Sequence, residues 1–136
     1  MLASCGLLLL LDQWSKAILA TRGKERRIPW LPILRLRRVN AVKPFYRSTF
    51  ARAVMAAAWL AAFVAVVLVH ESGAWFQSPM ELGGIGVALG GAAGNLLDIL
   101  RRHYVIDFIE VRRWPVFNLA DLAIVGGVLA AFWTRL

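Results

Sequence analysis

VIDFIEVRRWPVFNLAD, residues 105–121, separates two long apolar stretches and carries an acid near each end, Asp107 and Asp121. Ionisable side chains at a membrane boundary are costly unless paired or used, so they are read first as functional. Two carboxylates close in space repel, which holds one protonated and one ionised near neutral pH. An aspartyl hydrolase has that requirement: one group takes a proton from water while the other donates to the substrate carbonyl. Spacing alone leaves a catalytic dyad and a structural pair as equal alternatives.

Outward from this segment the chain reads as four apolar spans, residues 1–20, 51–69, 82–98 and 117–136. At about 1.5 Å per residue each approaches the roughly 20 residues that cross a hydrocarbon core, the third only with helical flanks. Arg52 lies near enough to the end of the second span to snorkel. Between the spans lie basic loops at 21–50 and 99–116 and one short neutral turn. The first loop carries Pro29, Pro32 and Pro44 with short alternating runs such as Ile33 to Leu36, which predicts a small strand-rich cap on the membrane. Tyr104 to Ile109 alternates in the same way, as an extended strand or interfacial turn. The expected fold class is therefore an all-α membrane protein, one domain over residues 1–136, with four transmembrane helices and this cap. Eleven residues precede Asp12, about half a bilayer. Either Asp12 sits deep or the natural start lies upstream of Met1, and the second is the expectation.

A hydrophobic content of 60 % and a mean hydropathy of +0.63 exceed what a soluble domain of this length carries. The net charge of +8 would also suit a nucleic-acid binder. Here, however, ten of the sixteen Lys and Arg lie between Arg22 and Arg52 and four more between Arg101 and Arg113, outside the apolar spans. That pattern favours anionic lipid headgroups over nucleic acid as the partner. A single cysteine, Cys5, rules out an internal disulfide and a cysteine-based zinc site. It reads as apolar filler, because the Leu2-Ala3-Ser4-Cys5 lipobox has neither the charged nor the apolar region of a signal peptide before it. His70 and His103 are isolated, and no serine sits in a Gly-x-Ser-x-Gly turn. No metal and no cofactor are expected.

Other polar residues recur at helical spacing. Asn118 and Asp121 are three apart; as a helix cap Asn118 is well explained, Asp121 only in part. Asn95 and Asp98 repeat that spacing at the end of the third span, where an acid opposes the helix dipole and needs a cationic or hydrogen-bonding partner. Asp12 and Lys16 are positioned to pair on the first helix, more often a structural arrangement. Gly86, Gly90 and Gly94 mark one helical face open to close approach by another helix.

Taken together, four stretches resemble the lipoprotein signal peptidase (signal peptidase II) family: Leu11 to Lys16, Gly90 to Asp98, Val105 to Phe108, and Phe117 to Asp121. They occur in the family's order and reach from the first span to the last. The resemblance implies that Asp107 and Asp121 are the catalytic dyad, with Asp12, Lys16, Asn40, Asn95, Asp98 and Asn118 as supporting or substrate-binding residues. It implies a prolipoprotein substrate whose cysteine carries diacylglycerol, with the cut just before that cysteine and the water activated by a carboxylate. It implies a bacterial cytoplasmic (inner) membrane enzyme with its site on the outer side. A monomer in contact with membrane lipid is expected.

The chain departs from the family pattern at three places. Ile99 stands where an arginine usually follows the acid of Gly-Asn-x-x-Asp, with Arg101 or Arg102 as the candidate replacement. Asn40 to Phe45 keeps the Asn and Phe of an Asn-x-Gly-x-Ala-Phe pattern and loses its Gly and Ala. The segment between the two acids is shorter than usual. In addition, the positive-inside rule applied to the two basic loops predicts the opposite orientation. The competing readings are a degenerate homologue that binds lipopeptide without cutting and a small proton or ion pathway protein. Acids at several depths would favour the relay, and two acids flanking one loop favour a single site.

Overall fold

The structure, a computed structural model, describes residues 1–21, 26–28 and 31–133. Of the positions singled out above, Arg22 and Pro29 lie outside the described residues. The architecture is mostly helical: α1 Leu2–Thr21, α2 Thr49–Glu71, α3 Pro79–Arg102 and α4 Leu119–Phe132. Three strands, β1 Arg26–Ile28, β2 Leu31–Ala41 and β3 Val105–Val111, form an antiparallel sheet in the order β1-β2-β3. The first three helices are long and apolar enough to cross a membrane. The fourth has 14 residues, about 21 Å at 1.5 Å per residue.

Local chemistry sets the helix starts. Ser48 accepts from the Ala51 N–H to open α2. Ser78 and Glu81 form a capping box with Pro79 in the first turn, so α3 begins ahead of its apolar run. Asn118 and Asp121 form a second capping box at the start of α4. At the other end of α3, His103 adopts the left-handed conformation (φ 63°) and returns its N–H to the Ile99 carbonyl.

Helix α3 is the central element, and its small residues decide how closely the others approach. A Cβ at Gly86, Gly90 or Gly94 would meet Met1 and Ser4, the Cys5 backbone, or the Asp12 carboxylate. The expected glycine face is therefore the seat of α1. A second small-residue face packs on α4, with Gly84 against Gly127 and Ala131, and Gly91 against Ala120 and Ala123. No residue of α2 is buried. It attaches through the Trp59 indole N–H, which donates to the Leu89 carbonyl at 3.0 Å, and through Met55, which packs on the cluster of Tyr46, Ile99 and Val105.

The sheet delivers one acid and the loop behind it delivers the other. Leu36 pairs with Ile109 and Val39 with Asp107, so β2 carries one extra residue beside the acid; such a bulge re-aims side chains locally. On the far edge of β3, Phe108 and Ile109 both donate to the Phe117 carbonyl, at 3.0 and 2.8 Å. That return of the chain sets Asn118, and then Asp121, alongside Asp107.

Candidate active site

Four side chains with no exposed surface lie beneath the two acids: Asp12, Lys16, Asp98 and Asn118. The Lys16 ammonium meets Asp12 Oδ2 at 2.7 Å and Asp98 Oδ2 at 2.8 Å. Asp98 also accepts from Arg102 Nη1 at 2.6 Å, Gln13 Nε2 at 3.2 Å and the Ile106 N–H at 3.4 Å. The acid that opposes the α3 dipole thus has the cationic partners it needs, one from α1 and one from the next turn of its own helix. Asp12 reaches the other way, its Oδ1 accepting from the Ala120 N–H of α4 at 3.1 Å. The buried Lys16 and the partly exposed Arg102 balance the two buried carboxylates, which is the condition for keeping buried charge.

Two asparagines connect this base to the dyad. Asn95 Oδ1 accepts from Lys16 Nζ at 3.1 Å and from Asn118 Nδ2 at 2.9 Å. Its oxygen is thereby turned inward, and its Nδ2 donates to Asp121 Oδ1 at 2.9 Å. Asn118 Nδ2 also donates to Asp107 Oδ1 at 2.9 Å, while the Asn118 N–H donates to Asp121 Oδ2 at 3.0 Å. Asp121 therefore accepts at both oxygens. Asp107 accepts at one, and its Oδ2 has no bonded donor among the described residues. Both acids are partly exposed. Burial, and then the neighbouring Asp121 charge, push the Asp107 carboxyl up to about 6, against the Asn118 bond and the Lys16 charge, which favour the ionised form.

A groove of ≈ 330 Å³ opens beside Asp121, walled by Trp114, Pro115, Phe117, Leu122 and Val125. A second, of ≈ 420 Å³, lies where α2, α3 and α4 meet and ends at Asn95. Each apolar hollow has one polar residue, and both belong to the hydrogen-bonded cluster. This is a water-capable acid pair at the margin of surfaces suited to lipid or an apolar helix.

Six of the eight residues expected from the resemblance are adjoining members of one bonded network, and a seventh, Asp107, joins it through Asn118. Asn40 stands apart from that network: it is exposed on β2, paired with Ile106, and accepts from Arg38 Nε at 3.2 Å. Arg102, one turn beyond Ile99, is the arginine that holds Asp98; Ile99 itself is 3 % exposed in an apolar cluster. Gln13 received no role from the sequence, because its neighbour Asp12 is on an adjoining helical position rather than the same face. Its amide nevertheless spans Asp12, Asp98 and the Gly94 carbonyl.

A family model for signal peptidase (SPase) II matches residues 4–136. The chain belongs to that family. It is similar to the lipoprotein signal peptidase of Moorella thermoacetica, 58 % identical over 52 residues, 38 % of this chain and 35 % of that one. It is similar also to the lipoprotein signal peptidase of Mycobacterium avium, 40 % identical over 80 residues, 52 % of this chain and 44 % of the other. The chain thus matches less than half the length of these curated relatives. A solved bacterial membrane enzyme shares the fold over 98 % of this signal peptidase II family chain and 90 % of its own length, with a TM-score of 0.79 at 22 % identity. The four motifs named from the sequence thus led to the family that the whole chain matches.

Proposed function

We propose that the protein is an intramembrane aspartyl endopeptidase that removes signal peptides from diacylglyceryl-modified prolipoproteins, cutting before the lipidated cysteine. The observation that carries this reading is the chain of hydrogen bonds Asp107–Asn118–Asn95–Asp121 at the rim of an apolar groove. It supplies two acids in different surroundings, held by rigid amides and reachable from the membrane. Family membership and the names of the relatives support it.

In this reading Asp121, fixed as an acceptor by two N–H donors, takes a proton from the attacking water. Asp107, protonated below about pH 6, donates to the scissile carbonyl from its unbonded oxygen. The tetrahedral species collapses as the nitrogen leaving group receives a proton from the dyad. Asn95 and Asn118 fix the angle between the carboxylates, and Lys16 fixes Asn95. Asp12 and Asp98 hold Lys16 in place, and Asn40 is assigned to substrate contact on the cap. The apolar grooves receive the acyl chains and the signal helix, which stay in the bilayer while only the scissile bond meets water.

All four helices span the bilayer in this reading, α4 with help from its flanks, as one domain over residues 1–136 acting as a monomer in contact with membrane lipid. The sheet and the dyad face the outer side of the bacterial cytoplasmic (inner) membrane. The direct test is incubation of purified protein with a prolipoprotein carrying diacylglycerol on its cysteine, beside the same protein unmodified. Cleavage of the modified form alone is expected. Cleavage of neither, by a folded preparation, rules the reading out.

A further inference from the structure

The groove beside Asp121 shares a wall with a second hollow. Trp114, which closes it on one side, also opens a hollow of ≈ 360 Å³ that runs past Arg113 and Arg112 to Ile33. Ile33 and Arg112 in turn wall a further pocket of ≈ 360 Å³ completed by Arg35 and Glu110. The three hollows therefore lie in series between Asp121 and the sheet, each sharing a wall with the next. Strand register builds that pocket: Arg35 faces Glu110 across β2 and β3, and the Arg112 N–H ties to the Ile33 carbonyl at 3.2 Å. Among the described residues the pocket's carboxylate is Glu110, which meets Arg37 Nε at 3.3 Å. The pocket and its approach are thus dominated by guanidinium groups.

We propose, resting on the proteolytic reading above, that this pocket receives the polypeptide that follows the scissile bond and selects substrates with Asp or Glu there. Reach sets the register. Asp107 and Arg112 are five residues apart along the strand direction, about 16 Å at 3.3 Å per residue. An extended substrate chain covers that span with about five residues, so the fourth to sixth residues after the cysteine meet the arginines. Chemistry sets the occupant. Guanidinium forks bind carboxylates through paired donors, and the Glu110 carboxylate in the same wall accepts backbone N–H groups. A peptide offers both carboxylates for the arginines and N–H donors for Glu110, whereas a phosphodiester group offers acceptors alone and leaves Glu110 without a donor. The apolar end of the series, at Leu122 and Val125, remains for the lipid part of the substrate.

The test uses the full chain carrying Asp107→Asn, in neutral detergent. Two fluorescent peptides with a diacylglyceryl cysteine differ only at the fourth to sixth residues after it, Asp in one and Lys in the other. Anisotropy titrations are expected to show about fivefold to tenfold tighter binding of the acidic peptide, as two or three exposed charge pairs produce. The difference should shrink in about 0.5 M salt. Arg112→Glu and, on the other strand, Arg35→Glu are each expected to abolish or reverse the preference, so one misfolded variant does not decide the outcome. Equal binding of both peptides, or binding of neither, overturns the proposal. So does a preference that arises only when phosphatidylglycerol is added to the detergent, which would assign the pocket to lipid headgroups. Binding is read in a chain that cannot cut, so failure of the proteolytic reading shows separately, as absence of cleavage of either peptide by the unsubstituted chain.

Discussion

Asp107 and Asp121 differ in what surrounds them, and that difference fixes what each substitution does. Asp107 holds its proton up to about pH 6 in the folded protein, against 3.8 for an unperturbed Asp. Folding therefore favours the protonated form, and the charged form penalises the native state once pH rises through 6. Asp107→Asn removes both the proton donor and that penalty. Cleavage should be abolished, while the melting temperature in detergent should rise by a few degrees at about pH 7.5 and be unchanged near pH 3, where the native Asp is protonated in both states. A variant that cut normally would dismiss the dyad assignment. In the unsubstituted protein kcat/KM should fall as pH rises through 6, as the free protein loses that proton. Asp121→Asn should also abolish cleavage. The arginine missing after Asp98 gives a second residue-scale expectation. Arg102 already contacts Asp98 at 2.6 Å, and Ile99 is buried against Tyr46 and Val105. Arg102→Ala should lower both activity and expression, because it leaves the buried Asp98 with one cation fewer. Ile99→Arg should restore nothing and should destabilise by about 3 kcal/mol or more, through an unpaired charge in an apolar cluster. Higher cleavage rates in Ile99→Arg membranes would contradict this.

At the scale of elements, α3 carries the site because it is seated on two neighbours at once. At Gly94 a Cβ would meet the Asp12 carboxylate that pairs with Lys16. Gly94→Ala should cost about 1–3 kcal/mol through overpacking and displace the Lys16–Asn95 contact, with activity falling further than stability. Gly83, on the same helix, has open space where its Cβ would go. Gly83→Ala should be neutral or stabilising, since Ala is the better helix former by about 1 kcal/mol. Thermal melts of both variants check the pair, and equal effects would deny the close seating of α1. Much of this was legible in the sequence: the glycine spacing, the Asp12–Lys16 pair, the need of Asp98 for a partner, and the alternation that became β2 and β3. The capping boxes were legible only in part. Asn118-x-x-Asp121 reads as a cap, but Ser78-Pro79-Met80-Glu81 precedes the apolar run and so α3 begins earlier than hydropathy marks it. The bulge between Leu36 and Val39 and the double bond to Phe117 have no local signature. The bulge arises from pairing between segments some seventy residues apart, whereas the bonds to Phe117 close a loop of eight or nine residues; together they bring Asp107 to Asp121. The role of Gln13 was hidden for the same reason as the bulge, since two of its three partners, Gly94 and Asp98, lie on α3.

The whole molecule is polarised end to end. Met1 and Ser4, at the start of α1, lie against Gly86, and Gly127 and Ala131 of α4 lie against Gly84, so the start of α1 and the later part of α4 meet at the Pro79 end of α3. At that end Trp75, Phe76 and Phe132 form a ring cluster with centroids 5.7 to 6.3 Å apart. The sheet, the buried ion network and the dyad occupy the opposite end. The positive-inside rule reads loop charges before folding and would send the arginine-rich end to the cytoplasm. The folded protein uses several of those cations: Arg102 on Asp98, Arg37 on Glu110, and Arg52 against the His103 ring at 2.7 Å. A loop whose arginines are engaged by the fold is a poor reporter of orientation. In the proposed reading a lipidated substrate is presented outside, so the dyad end is expected outside too. A reporter that works only in the cytoplasm, fused after Leu136, should be active, and one that works only outside should be active when inserted between Gly23 and Ser48. The reverse pattern would put the dyad in the cytoplasm, where this substrate's scissile bond is not presented, and would favour a different role for the two acids.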